Sequence, residues 1–354
     1  MSSSAEKENR TGSHRSPPRW FRSPKLIFSI LVVGAFAFLA YHVRKDFETA
    51  FNHLSIARLP WLAAAIGAEI LSFVCYAMVQ RRLLHSGGAK ITLRSMLGLA
   101  VAATGLTNLV PGGTAPASGW LVNQYRRRGI PMPLALWSVL VGGFAAALSI
   151  LTLLLAGAAV AGLIGLWATL GCAALMIVVV AALVMSVRHL PAVDRWLERH
   201  SGVSGAKTLK RGLDQVSKVA HFRTSVPGGV EVLLVSLANW GLDTICLVAA
   251  FEVLGFSVPW RAVLFAYAIA QVAGSLAPLP GGIGFVEGGM TAAFALAGSP
   301  TGNAFVATLV YRLVTCWGVA AVGSVALLVL NSRRPRQVHL HGEALALHSR
   351  RRRE

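Results

Sequence analysis

The stretch LAPLPGGIGFVEGG, residues 276–289, lies within an apolar region and holds two prolines, five glycines and one glutamate. Proline cannot continue a helix interior, and glycine permits a sharp turn. A span facing lipid would avoid all three residue types. A weaker echo, TNLVPGGTAPASGW, occupies residues 107–120. Each Pro-Gly-Gly joins two short apolar arms, over 96–123 and 262–297. An arm of about 12 to 16 helical residues reaches only about 18 to 24 Å, short of the roughly 30 Å hydrocarbon core. The simplest reading of each pair is a re-entrant hairpin that enters and leaves on one side. Two tilted full spans are the other reading.

Around these breaks the chain is that of a polytopic α-helical membrane protein. Of its 354 residues, 55% are hydrophobic and only 13% charged, outside the range of soluble domains. The apolar runs are continuous, without the alternation of a membrane β-barrel. Six runs are long enough to cross, at about 26–43, 59–79, 134–160, 166–187, 230–254 and 304–330. With two hairpins, the expected fold is an all-α integral membrane domain over 26–332. Basic cytoplasmic tails flank it at 1–25 and 333–354, and a basic amphipathic segment at about 188–227 lies along the inner leaflet.

The net charge of +19 reflects topology, and no nucleic-acid partner is expected. With the N-terminus in the cytoplasm and only the long runs crossing, all but five of the 33 Lys and Arg face inward. The exceptions are Arg44, Lys45, Arg58 and Arg261 outside and Arg312 within a span. This is the positive-inside pattern, and it predicts a multi-pass protein of the bacterial inner (plasma) membrane with both termini cytoplasmic. Two full spans in place of each hairpin would keep the same parity. The parity makes 59–160 and 230–330 the same unit inverted, an architecture of transporters built from broken helices.

Ionisable groups inside spans mark function by default. Glu69, Asp243, Glu287 and Arg312 stand out. Arg312 keeps its proton and needs a buried carboxylate. Glu287, in the neighbouring segment, is the first candidate and Asp243 the second. The pair is read either as a staple of the hairpin or as the receiver of an anionic headgroup. Asn108, Asn123, Asn239, Gln271 and Tyr267 are candidates for the same polar path. Gly112 and Gly113 in the first break, and Gly281 and Gly282 in the second, offer backbone amides to phosphate oxygens. The cysteines Cys75, Cys172, Cys246 and Cys316 have no metal-ligand spacing and read as small core residues. No nucleotide fingerprint, triad or metal cluster occurs, so no cofactor, no metal and no enzymatic activity are expected.

PASGWLVNQYRRRGI (116–130), LPGGIGFVEGG (279–289) and the downstream YRLVTCW around Arg312 resemble the lysylphosphatidylglycerol synthase transmembrane-region family of flippase-like proteins. The resemblance covers about residues 25–332. It implies a stand-alone member without the aminoacyl-transferase domain, hence lipid translocation and not lysine transfer. Glu287 and Arg312 carry over, as do Gly281, Gly282 and Gly284 as backbone formers. The span that follows the first motif, LALWSVLVGGFAAALS, lacks the charged residues usual there, so the first unit departs from the family pattern. The expected substrate is an anionic phospholipid or lipid-linked precursor. Two alternatives stand beside it: a proton-coupled transporter of small solutes, and an accessory subunit for a separately encoded lipid-modifying enzyme or glycosyltransferase. Homo-oligomerisation is left open.

Overall fold

The computed structural model describes residues 58–179 and 226–332, and these are helical with no strand among them. In chain order they form α1 (Leu59–Ser86), α2 (Leu93–Leu109), α3 (Thr114–Arg127), α4 (Met132–Val160) and α5 (Leu166–Val179). After the undescribed segment come α6 (Val226–Leu254), α7 (Trp260–Leu276), α8 (Phe285–Leu296), α9 (Thr301–Arg312) and α10 (Val319–Ser332). A π-helical turn, Leu313–Gly318, joins α9 to α10. The predicted span 26–43, both tails and nearly all of 188–227 lie outside the described residues, as does the end of 166–187.

Among the described residues, four helices are long and apolar enough to cross a membrane: α1, α4, α6 and the continuous α9–α10 rod, Thr301–Ser332. They correspond to predicted runs 59–79, 134–160, 230–254 and 304–330. In each, a third or less of the most apolar window is buried inside the protein. Large side chains such as Leu140, Leu234 and Leu328 point outward. A helix apolar on its outward face is a helix solvated by lipid.

The two broken regions are helix, break, helix. α2 has 17 residues and α3 has 14, while α7 has 17 and α8 has 12. At about 1.5 Å per residue, each arm is shorter than the hydrocarbon core. The first break is Val110–Gly113. The second runs from Ala277 to Gly284 and contains a short 3-10 turn at Pro280–Gly282. Gly112, Gly281, Gly282 and Gly284 all have positive φ, a backbone that L side chains resist.

Packing between the units is reciprocal. α1 lies along α6, α4 lies on α7, and α10 lies on α2. The α1–α6 pair runs antiparallel: Asn239 donates its amide N–H to the Ser72 carbonyl at 2.8 Å, and further along Arg82 pairs with Glu231 at 2.9 Å. Helices approach closely where glycines meet. A Cβ on Gly105 of α2 would sit 2.7 Å from Gly323 Cα of α10, and one on Gly157 of α4 only 2.4 Å from the Phe265 nitrogen of α7. Small residues at such crossings let backbones touch where no water drives association.

Along α10 the partners on the first hairpin also run antiparallel: Asn108 meets Cys316 and Gly105 meets Gly323. Gln124 on α3 then bonds Asn331 near the α10 C-terminus at 3.2 Å. α2 therefore starts, and α3 ends, toward the same end of α10.

Candidate functional site

The two breaks meet. Gly112 donates its backbone N–H to the Pro278 carbonyl at 3.1 Å. From the first hairpin, Asn108 Nδ2 donates to the Cys316 carbonyl at 3.1 Å. Cys316 lies in the π turn, where the regular ladder is interrupted and a carbonyl is available to a side chain. Both breaks and the break in the last helix are thus tied together at one centre.

Arg312 ends α9 immediately before the π turn and is 7% exposed; Glu287 is 8% exposed. Arg312 Nε donates to Glu287 Oε1 at 2.8 Å, and its Nη2 donates to the Gly281 carbonyl. The other carboxylate oxygen of Glu287, Oε2, accepts the Gly284 N–H at 2.7 Å. Glu287 stands in the first turn of α8, where the helix dipole favours a negative charge. Positive φ at Gly281 and Gly284 aims a carbonyl at the guanidinium and an amide at the carboxylate. A Cβ on Gly281 would also come within 2.8 Å of Cys316 Sγ. Among the described residues, no hydrogen bond is made by Arg312 Nη1.

A second polar cluster joins α6 and α7 to Tyr311, the neighbour of Arg312 on α9. Asp243 Oδ2 accepts from Tyr267 at 2.7 Å and Tyr311 at 3.2 Å. Gln271 Nε2 bridges Asp243 Oδ2 at 3.4 Å and the Tyr311 hydroxyl at 3.2 Å. The antiparallel register that sets Ser72 against Asn239 and Arg82 against Glu231 brings Glu69 of α1 opposite Asp243 of α6. The aromatic rings of Tyr267 and Tyr311 pack edge to face, against the apolar core of the second unit.

The predicted residues therefore form two neighbouring groups. Glu287, Arg312, Gly281, Gly112 and Asn108 share the centre where the breaks meet. Glu69 and Asp243 share the second cluster with Tyr267 and Gln271, and Asn239 bonds one turn away. The expected partner of Arg312 is Glu287, and Asp243 is engaged elsewhere. The expectation for the break glycines is corrected for two of them. The Gly112 and Gly282 amides are not open to phosphate, because they bond the Pro278 and Leu279 carbonyls. Gly281 contributes its carbonyl to Arg312. Gly113 acts by close packing: a Cβ there would lie 2.2 Å from the Thr107 carbonyl oxygen. Asn123 is exposed on α3 and lines neither group. Of the cysteines, Cys246 and Cys316 are buried as expected, whereas Cys172 is exposed.

Sequence reasoning passed over Tyr311, Pro278 and the Cys316 carbonyl. Tyr311 had a signal, a phenol next to a buried arginine. The other two act through backbone atoms that carry none. Superposing Pro111-Gly112-Gly113 on Pro280-Gly281-Gly282 in sequence sets Ser118 against Glu287 and Gly143 against Arg312. The ion pair belongs to the second unit alone, as the missing charges in the first unit led one to expect. Among the described residues no cluster of three His, Cys, Asp or Glu could hold a metal ion.

These features define an all-helical integral membrane protein with long apolar helices and two helix breaks that meet beside a buried ion pair. The chain belongs to the lysylphosphatidylglycerol synthase TM region family, whose sequence pattern matches residues 26–323. Two proteins of Methanothermobacter thermautotrophicus, each called a UPF0104 membrane protein, are similar over shorter stretches. One is 31% identical over 94 residues, 27% of this chain and 28% of the relative. The other is 29% identical over 93 residues, 26% and 28% respectively. The chain thus aligns with little more than a quarter of either relative's length.

Proposed function

We propose that this protein moves an anionic phospholipid or lipid-linked precursor between the leaflets of the bacterial inner membrane, acting as a transporter and not as an enzyme. The observation that carries this reading is the meeting of both helix breaks at Arg312. Irregular backbone at membrane depth persists only where protein or a polar cavity surrounds it. Each hairpin enters from its own side, the first from the cytoplasm and the second from outside, with both chain termini cytoplasmic. The touching breaks then divide a path that opens to one leaflet or the other as the two units rock. Arg312 Nη1 receives a phosphate oxygen, a charge-assisted bond that a planar guanidinium suits. Glu287 holds the guanidinium in place, and the acyl chains stay in the bilayer. Partners beyond lipid, whether a second copy or a separate enzyme, play no part in this step.

A transporter of small solutes is the second reading, favoured by the buried Glu69–Asp243 pair. Native mass spectrometry of the purified protein with phosphatidylglycerol, phosphatidylcholine and candidate soluble anions separates the two. Retention of phosphatidylglycerol over phosphatidylcholine, weakened by Arg312→Lys, supports the lipid reading. Equal retention of both lipids removes it.

A further inference from the structure

Two carboxyl groups lie opposite each other between the units, and among the described residues neither is in an ion pair. Glu69 is 9% exposed. Its Oε2, and Oδ1 of Asp243, are buried oxygens without a hydrogen-bond donor. Buried acceptors left unpaired are costly, and two adjacent carboxylates in an apolar site do not both ionise. The neighbouring groups among the described residues are engaged as follows. Tyr267 from α7 and Tyr311 from α9 donate to Asp243 Oδ2, with Gln271 beside them. Cys246, three residues further along α6 from Asp243, is buried. Arg312, which follows Tyr311 in the chain, is engaged by Glu287 and the Gly281 carbonyl.

We infer that Glu69 and Asp243 form a proton-binding site at the α1–α6 contact, with one proton held on Glu69 and donated to Asp243. The donor pattern assigns the proton to Glu69. Three donors converge on Asp243 Oδ2 and favour its ionised form, while no donor among the described residues reaches Glu69. A single O–H···O bond then joins the two carboxyls and ends their repulsion. The same pattern argues against a metal ion. A hard cation needs a shell of oxygen acceptors, whereas the phenols and the amide here present hydrogens. Glu69 comes from the first unit and the rest of the cluster from the second, so relative movement of the units would part the carboxyls and free the proton. That coupling rests on the lipid-translocation reading; the proton site itself does not.

Infrared spectroscopy of the full-length protein in nanodiscs tests the site without reference to transport. At neutral pH the wild type should show the carbonyl stretch of one buried protonated carboxylic acid, shifted in deuterium oxide and shifted again by ¹³C-glutamate labelling. Glu69→Gln, whose amide can still donate to Asp243, should fold and lose the band. The isotope arm assigns the band in wild-type protein even if that variant fails to fold. Absence of the band at neutral pH, or a band indifferent to glutamate labelling, overturns the proposal. Loss of the band when sodium replaces choline at constant pH also overturns it, in favour of a metal-ion site.

Discussion

Replacing Arg312 by leucine should cost this protein much of its stability. Glu287 Oε1 would lose its donor and Glu287 would keep only the Gly284 N–H. The Gly281 carbonyl would be left facing an apolar side chain. Leaving one member of a buried pair uncompensated costs about 3–5 kcal/mol, roughly a hundred- to several-thousand-fold in the ratio of folded to unfolded protein. Glu287→Leu should be comparably damaging, because it strands a guanidinium. The double variant Arg312→Leu/Glu287→Leu removes both charges, and an apolar pair of that kind is often neutral against the ion pair it replaces. Thermal unfolding in detergent, followed by size-exclusion chromatography of the fluorescently tagged protein, measures all three. Low melting temperatures for the single variants and recovery by about 2 kcal/mol or more in the double variant are expected. Singles that melt like the wild type would show that the pair is not buried in the folded protein.

Other outcomes follow from the same contacts. Gly281→Ala should destabilise by about 1–3 kcal/mol in the same unfolding assay, since it strains a left-handed backbone and presses on Cys316 Sγ, whereas alanine at Gly302, exposed at the start of α9, should be near neutral. Gly105→Leu and Gly323→Leu should each force α2 from α10 and lower the yield of monodisperse protein, because each Cβ would fall within 2.7 Å of the other helix's backbone. Asn108→Ala should cost about 1 kcal/mol through the lost bond to the Cys316 carbonyl. In a cysteine-free background, a cysteine at Gly302 should react with an impermeant thiol reagent added outside, and one at Arg127 should not; the reverse pattern would invert the orientation.

Long apolar runs were the legible part of this sequence, because a lipid-facing helix must be apolar around most of its surface and over about 20 residues. The breaks at Pro111 and Pro280 were legible for the opposite reason, that those residues cannot continue a helix. The Arg312–Glu287 pair could be anticipated because a buried guanidinium requires a carboxylate and the two segments adjoin. The Glu69–Asp243 contact could not, since it depends on the antiparallel register of α1 on α6, which no local pattern encodes. The Gly112–Pro278 bond and the Cys316 carbonyl are backbone contacts, and the π turn is one extra residue of slack in a helix whose composition is unremarkable. Sequence also overvalued the glycine amides. A glycine-rich turn exposes N–H groups only when no carbonyl reaches them, and here Gly112 bonds Pro278 of the other break and Gly282 bonds Leu279.

The account is tested most directly by leaflet-resolved lipid movement in proteoliposomes. Headgroup-labelled phosphatidylglycerol is placed in one leaflet, and its arrival in the other is followed with an impermeant quencher for wild type and for the folded double variant Arg312→Leu/Glu287→Leu. The expected result is movement well above protein-free vesicles for wild type and a return to that background for the double variant. A double variant that moves lipid as fast as wild type would contradict a headgroup-receiving role for Arg312. A wild type no faster than protein-free vesicles for any anionic lipid would contradict the translocation reading as a whole.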